Sequence, residues 1–455
     1  MDDRSLETDV VVAGSGMAGL VSAVRALESG ADVIVLEKAP RPGGKTRWSD
    51  GAILVDEDAQ PQIDVYEPLS KGIDWLESHG VTVKELMHEY SGTGKQIDPV
   101  DFIEHMVGVI EEQGGELRLE TPLSSLRMGD DNSIAGVVAE GPDARFEIEA
   151  RSVILATGGY GGNERLIEQY ITDNADKFVL RSDPWSTGGG FLAAQDVGAK
   201  TTTGLSKFDG HSMLAPPASY TPDEYMEATQ YYGPKAIAVD RRGRRFTDES
   251  AGDLEGPLIR DMLKRAEGEA FYILDHRLYD ESFVSGNVGA MVERARELGG
   301  TVLEAPTLDQ LGDQLSDQGV NGKKAIETVE AFNAAVEKPG EEPLDPPRER
   351  FRDPIDSAPF YAVEVRPGIT YTMGGLDVNV NAEVLCRTTS CTALSEQATL
   401  DPKDVFYNPI PGLYATGIDV GNPNEQYYIG RLSQALASGR IAGKHAADRA
   451  TAEQR

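Results

Sequence analysis

The sequence predicts an α/β fold: a doubly wound, mostly parallel sheet interrupted by an inserted domain. Three observations predict it. An apolar run at residues 9–13 ends in Gly14-Ser15-Gly16-Met17-Ala18-Gly19, which opens a helix over 17–29 and leads to a second strand over 32–37. Residues 151–156 form another strand signal that stops at Thr157-Gly158-Gly159. A third, Gly412-Leu-Tyr-Ala-Thr416, stops at Gly417 and precedes a small-residue helix from about 432 to 447. Strands that alternate with helices and end at glycine turns are the pattern of a parallel sheet covered on both faces. The last strand is of the same type as the first ones, so the segment between them is expected to be an insertion. Residues 201–364 are richer in Pro, aromatics and charge, and 337–347 has the composition of a loop. The expected organisation is therefore 1–200 and 365–455 as two parts of one domain, with 201–364 as an α+β cap.

The first turn carries chemistry. Gly14 permits the tight turn, Gly16 lets a pyrophosphate approach backbone, and Gly19 lets helix and strand pack closely. Ser15 and Ala18 complete the loop. The helix N-terminus then offers unpaired N–H groups and a positive dipole end to the phosphates. Glu37 ends the next strand 18 residues after Gly19, where an acid takes the ribose hydroxyls of an adenosine. With strand, helix and acid in register, the turn indicates a Rossmann-like dinucleotide site. Lys38 follows, then Gly43-Gly44-Lys45-Thr46, whose consecutive glycines bring backbone N–H groups to a second phosphate. That position separates users of FAD from users of NAD.

Composition excludes other classes. Hydrophobic residues make up 40% of 455, and no apolar run approaches the ~18–20 residues that cross a bilayer. The first strand starts within about ten residues of Met1, which leaves no room for a signal peptide. A cytoplasmic protein without a membrane span is expected. A formal charge of −33 argues against nucleic acid as a partner, because a polyanion would be repelled. Cys386 and Cys391 are too few for a disulfide framework or a zinc site. They are read as two loop thiols in preference to a redox pair, and no metal is expected.

Several motifs occur in one order along the chain: Glu37-Lys38, Gly43-Gly44, Ala156-Thr157-Gly158-Gly159-Tyr-Gly-Gly-Asn163, Arg242-Gly-Arg-Arg-Phe246-Thr-Asp-Glu249, Thr370-Tyr371-Thr-Met-Gly-Gly375 and Gly412–Gly417. In this the chain resembles the flavoprotein superfamily of fumarate reductase, succinate dehydrogenase and 3-ketosteroid dehydrogenase, from residue 9 to about 447. The resemblance implies a Rossmann-like two-dinucleotide-binding flavin domain with a cap, and an active site at their junction. It implies FAD as cofactor, with Gly417, Ile418 and Asp419 along the ribityl chain and Gly375 also among the cofactor-binding residues. The helix after Arg431, beginning Leu432-Ser433, would point its N-terminus at the flavin pyrimidine edge, where a reduced anionic flavin carries charge. Members with covalent flavin carry a His just after the Gly-Gly turn. Here Lys45–Gly51 has none, so non-covalent FAD is expected.

Three positions depart from the dicarboxylate-binding pattern of that superfamily. Asp253 stands where the proton-donating arginine is expected, Tyr371 where a histidine is, and Gln426 where a substrate arginine is. Arg431 is close enough in sequence to replace the last of these. A buried carboxylate without compensating donors costs several kcal/mol, so fumarate and succinate are expected to be poor substrates. His211 matches a histidine that the resemblance places at the cap junction. Tyr371, Tyr427 and Tyr428 suit ketone chemistry, since a phenol hydrogen-bonds an enolising carbonyl or exchanges a proton with it. Glu425 is a further acid near the expected cleft.

These observations predict an FAD-dependent dehydrogenase or reductase acting on CH–CH groups next to a carbonyl, with a small-molecule substrate and a separate electron donor or acceptor. Two rivals stay open: a flavin monooxygenase or oxidase, and a non-catalytic FAD-binding electron-transfer protein. A C4a-peroxide absorbance on mixing reduced protein with oxygen marks the first. No flavin response to any ketone or acid marks the second.

Overall fold

The computed structural model describes residues 2–54, 68–88, 92–252, 255–284, 286–338, 344–387, 408–421 and 430–452. The chain divides into two compact units. The first comprises 1–166, 183–208 and 371–455, and the second 167–182 and 209–370.

In the first unit the three strand signals lie side by side. Among the described residues the sheet has eight strands, in the order Glu383–Leu385, Pro409–Ala415, Ala144–Leu155, Asp2–Ala13, Val33–Leu36 and Glu116–Arg118, with Leu123–Met128 and Ile134–Glu140 added on Ala144–Leu155. Pro409–Ala415, Ala144–Leu155, Asp2–Ala13, Val33–Leu36 and Glu116–Arg118 run parallel. Register aligns the strand ends: Ala13 sits opposite Leu36 and Leu155, and Leu155 opposite Ala415. The turns at Gly14, Thr157 and Gly417 therefore emerge together at the carboxyl edge of the sheet, where open α/β sheets bind ligands.

Helices Met17–Glu28 and Arg431–Ala452 cover one face together with Pro99–Glu112, around a core that includes Val10, Val12, Leu20, Val24, Phe102 and Leu436. The first two helices touch backbone to backbone. A Cβ added at Gly443 would lie 2.3 Å from the Ser22 carbonyl, and Ser22 Oγ donates to the Gly439 carbonyl at 3.0 Å. Small residues in the last helix are thus a packing requirement.

The second unit holds a sheet centred on Phe360–Ile369, which pairs antiparallel with Ser212–Leu214, Ala270–Asp275 and Val302–Ala305. Val179–Leu180 pairs with it in parallel, which is why 167–182 belongs to this unit and not to the segment before it. Side chains alternate by face, as the pleat dictates: Tyr272 and Leu274 enter one core, Phe271 and Ile273 another. The Arg-Phe-x-x-Glu motif is an internal brace of this unit. Arg245 binds Glu249 through Nε at 2.8 Å and Nη2 at 2.6 Å, with Arg348 Nη1 3.6 Å from the same carboxylate. All three are buried, so the motif holds the unit together.

Two elements extend past their expected bounds. The first strand begins at Asp2, because residues 2–8 pair with 144–150, and the last helix runs from Arg431 to Ala452. Among the described residues no cysteine is free: Cys386 is buried and disulfide-bonded, which corrects its reading as a loop thiol, and its backbone forms an isolated β-bridge with Ala199. Cys391 lies outside the described residues. No helix among them is long and apolar enough to cross a membrane.

Candidate FAD and catalytic site

The glycine-rich turn is tied to its surroundings from three sides. Glu37 Oε2 accepts from Ser15 N at 2.9 Å and Ser15 Oγ at 2.5 Å, while Oε1 accepts from Ala39 N at 2.7 Å. Gly43 N donates to Ser15 Oγ at 3.1 Å, and Met17 N, at the helix start, donates to Thr46 Oγ1 at 3.0 Å. Glu37 therefore fixes the loop as well as standing at the strand end. Lys38 Nζ donates to Thr187 Oγ1 at 2.7 Å and lies over the Trp185 ring. Asp183 lies close to Gly44, and burial first, then the Glu37 carboxylate, raises its pKa to about 6.

The three glycines of the turn differ in what a side chain would meet. At Gly14 a Cβ would lie 2.1 Å from the Ala156 carbonyl oxygen, and at Gly19 1.9 Å from that of Gly14. Gly16 has φ −68° and ψ 178°, which any residue adopts, and a Cβ there would meet nothing nearer than 3.8 Å. Protein packing thus explains Gly14 and Gly19 but leaves space at Gly16, beside the helix N-terminus. A cradle that the fold does not need to keep open fits a dinucleotide phosphate.

The second and third turns are joined by Asp419. Its fully buried carboxylate accepts from the Thr157 amide, from Thr157 Oγ1 at 3.0 and 2.9 Å, and from Gly159 N at 2.9 Å. Burial raises its pKa, and those hydrogen bonds work in the opposite direction. Gly158 (φ 85°) and Gly417 (φ 64°) are left-handed, and Cβ atoms there would meet Ser186 Oγ at 2.6 Å and Ala18 Cβ at 2.7 Å. Gly375 packs on the Asp419 backbone.

The last helix opens after Gly430 with Arg431. Arg431 Nη1 donates to Gln434 Oε1 at 2.5 Å, whereas Arg431 Nε and Nη2 and Gln434 Nε2 are buried with no partner among the described residues. An unmet buried donor costs about 1–3 kcal/mol, so three at a helix N-terminus fit an electron-rich ligand edge such as the flavin pyrimidine. The guanidinium of Arg431 lies 4.5 Å from the centre of the Tyr371 ring, and Lys45 Nζ lies 4.6 Å from it. Leu432 and Ser433 follow, and Ser433 Oγ donates to the Leu54 carbonyl.

In the second unit, His211 Nδ1 lies 3.3 Å from Glu255 Oε2 and its ring is edge-on to Tyr231 at 5.1 Å. Glu255 precedes the helix Gly256–Arg265 and went unremarked in the sequence, although an acid directly before Gly-Pro was the available signal. Asp253, Glu425, Gln426, Tyr427 and Tyr428 lie outside the described residues.

The model of the FAD binding domain family matches residues 9–79 and 69–428. The chain belongs to that family. FAD is the cofactor of this FAD-binding, fumarate reductase-like flavoprotein. It is 27% identical over 484 residues to NADH:fumarate oxidoreductase of Klebsiella pneumoniae (strain 342), covering 97% of this chain and spanning about half (48%) of the relative. An open-conformation flavocytochrome c3 fumarate reductase superposes with a TM-score of 0.72 at 25% identity, covering 98% of this chain and 79% of that one. The 3-ketosteroid Δ1-dehydrogenase from Sterolibacterium denitrificans, in complex with 1,4-androstadiene-3,17-dione, gives 0.74 at 19% identity, with 97% and 99% covered, and shares the fold.

Proposed function

We propose that the chain is an FAD-dependent dehydrogenase or reductase that acts on a carbon–carbon bond next to a carbonyl. The observation that carries this is the buried group at the start of the last helix: unpartnered donors of Arg431 and Gln434 directly beside Tyr371. In this reading the loops at 14–19 and 43–46, with Glu37 and Lys38, hold the nucleotide of FAD non-covalently. Ala156, Thr157, Gly158, Gly375, Gly417 and Asp419 shape the space for the rest of it. Bound FAD supplies hydride exchange at N5. Arg431, Leu432 and Ser433 present the helix N-terminus, and with Gln434 they stabilise negative charge on the pyrimidine edge. Tyr371, next to Arg431, hydrogen-bonds the substrate carbonyl, and His211 exchanges the proton.

The same reading makes the substrate a ketone, enone or related acyl compound, with fumarate and succinate poor substrates. The similarity to fumarate reductases makes that the point to test first. An anaerobic screen following flavin bleaching should find ketone or enone substrates ahead of fumarate. Robust fumarate reduction would overturn the exclusion and assign Arg431 to the substrate carboxylate. Tyr371→Phe removes only the hydroxyl. Turnover should fall ~10²–10³-fold, the usual effect of losing one such donor, with flavin content unchanged. Wild-type turnover would retire Tyr371 from the chemistry.

A further inference from the structure

Glu255 is a buried acid that this reaction leaves unused. Its side chain is 1% exposed, and Oε2 lies 3.3 Å from His211 Nδ1 and accepts from Ser212 N at 3.3 Å. Oε1 meets no hydrogen-bond partner among the described residues. An ionised carboxylate so placed would leave one charged oxygen uncompensated in the core of the unit, which costs far more than burying a neutral acid.

The groups around it do not neutralise a charge. Arg181, the cation whose field reaches it, has its own donors engaged: Nε on Thr229 Oγ1 at 2.9 Å, Nη1 on Thr370 Oγ1 at 3.3 Å and Nη2 on the Tyr231 hydroxyl at 2.8 Å. Asp209 adds repulsion. Tyr232 and Tyr272, which also face Glu255, are buried phenols whose own pKa values rise. Tyr272 hydrogen-bonds Ser212 Oγ. Desolvation first, with Asp209 adding and Ser212 and Arg181 opposing, lifts the Glu255 carboxyl to about 8.

We propose that Glu255 is a positioning residue and proton store behind His211, holding a proton against Nδ1 until the imidazole gives its own to the substrate. The exchange balances. As the His211 Nε2–H bond breaks and a substrate C–H bond forms, the Glu255 O–H bond breaks and an Nδ1–H bond forms. This leaves a carboxylate that solvent reprotonates. In dehydrogenation every step runs backwards. The inference rests on the reading that His211 exchanges the substrate proton.

Glu255→Gln keeps shape and hydrogen-bonding capacity but holds no releasable proton. In the holoenzyme, kcat should fall about a hundredfold, at the low end of the ~10²–10⁴ that proton transfer contributes. Flavin content and KM should be unchanged, and the alkaline limb of the wild-type kcat profile should disappear. A merely structural role would not move that limb. Infrared spectroscopy of the wild type at neutral pH should show a protonated carboxyl band that is absent from the variant. If Glu255→Gln does not fold, loss of the wild-type band as pH passes about 8 decides the matter. Wild-type turnover in the variant, or no such band, overturns the proposal. If no ketone, enone or acid bleaches the wild-type flavin, the functional reading fails, and the infrared band still decides whether Glu255 stores a proton.

Discussion

Gly16 shows how one missing side chain separates folding from binding. A Cβ at Gly14 or Gly19 would collide with backbone, so substitution there disrupts the strand–turn–helix itself. At Gly16 the nearest protein atom would be 3.8 Å away. Gly16→Val should therefore fold with a melting temperature close to that of the flavin-free wild type, yet retain no FAD. Absorbance of the purified variant, beside a thermal melt, checks both halves. Normal flavin content would mean that the phosphates lie elsewhere. The wild-type cofactor should pass wholly into the supernatant on acid precipitation, since no histidine follows Gly43-Gly44 to tether it. Yellow precipitate would contradict that.

Between Met17–Glu28 and Arg431–Ala452 the contact is backbone against backbone, and it depends on two glycines. Gly443→Leu would drive a side chain into the Ser22 carbonyl and the Arg25 side chain. Overpacking of this kind typically costs ~1–3 kcal/mol, so the melting temperature should drop by several degrees at ~2–4 °C per kcal/mol. An unchanged melt would mean that the helices separate freely. The alternation of strands, helices and glycine turns was legible in the sequence because it is local. What was not legible is long-range. Residues 2–8 are mostly polar, and only their pairing with 144–150 makes them strand. Arg245 and Glu249 stood out as a motif, but their role as a brace needs Arg348, about a hundred residues away. Glu255 escaped notice because nothing local shows that an acid in an acid-rich chain is buried against a histidine. Conversely, Tyr371 was singled out from its place before Met-Gly-Gly, and the fold puts Arg431 beside it.

For the whole molecule, buried acids couple stability to pH. Asp183 is raised to about 6, above an unfolded value near 4. The folded state therefore binds this proton more tightly than the unfolded chain does. Its contribution is fully present below pH ~4 and is lost as pH rises through about 6. Asp183→Asn removes that loss. Relative to wild type the variant should gain stability between pH 5 and 8, on the order of 2 kcal/mol, seen as a shallower fall in melting temperature. A difference that does not vary with pH would show that Asp183 is ionised throughout. The order of strands in the first unit also has a consequence in time. Its central strand, Ala144–Leu155, is flanked by Asp2–Ala13 and by Pro409–Ala415, so one neighbour is made early and the other late. At ~5–20 residues per second, the ribosome delivers the second neighbour on the order of tens of seconds after the first. All the strands of the second unit's main sheet, from Val179 to Ile369, emerge inside that interval. During synthesis the inserted unit is thus the first to have its whole sheet, while the nucleotide-binding sheet waits with an open edge for its C-terminal strand.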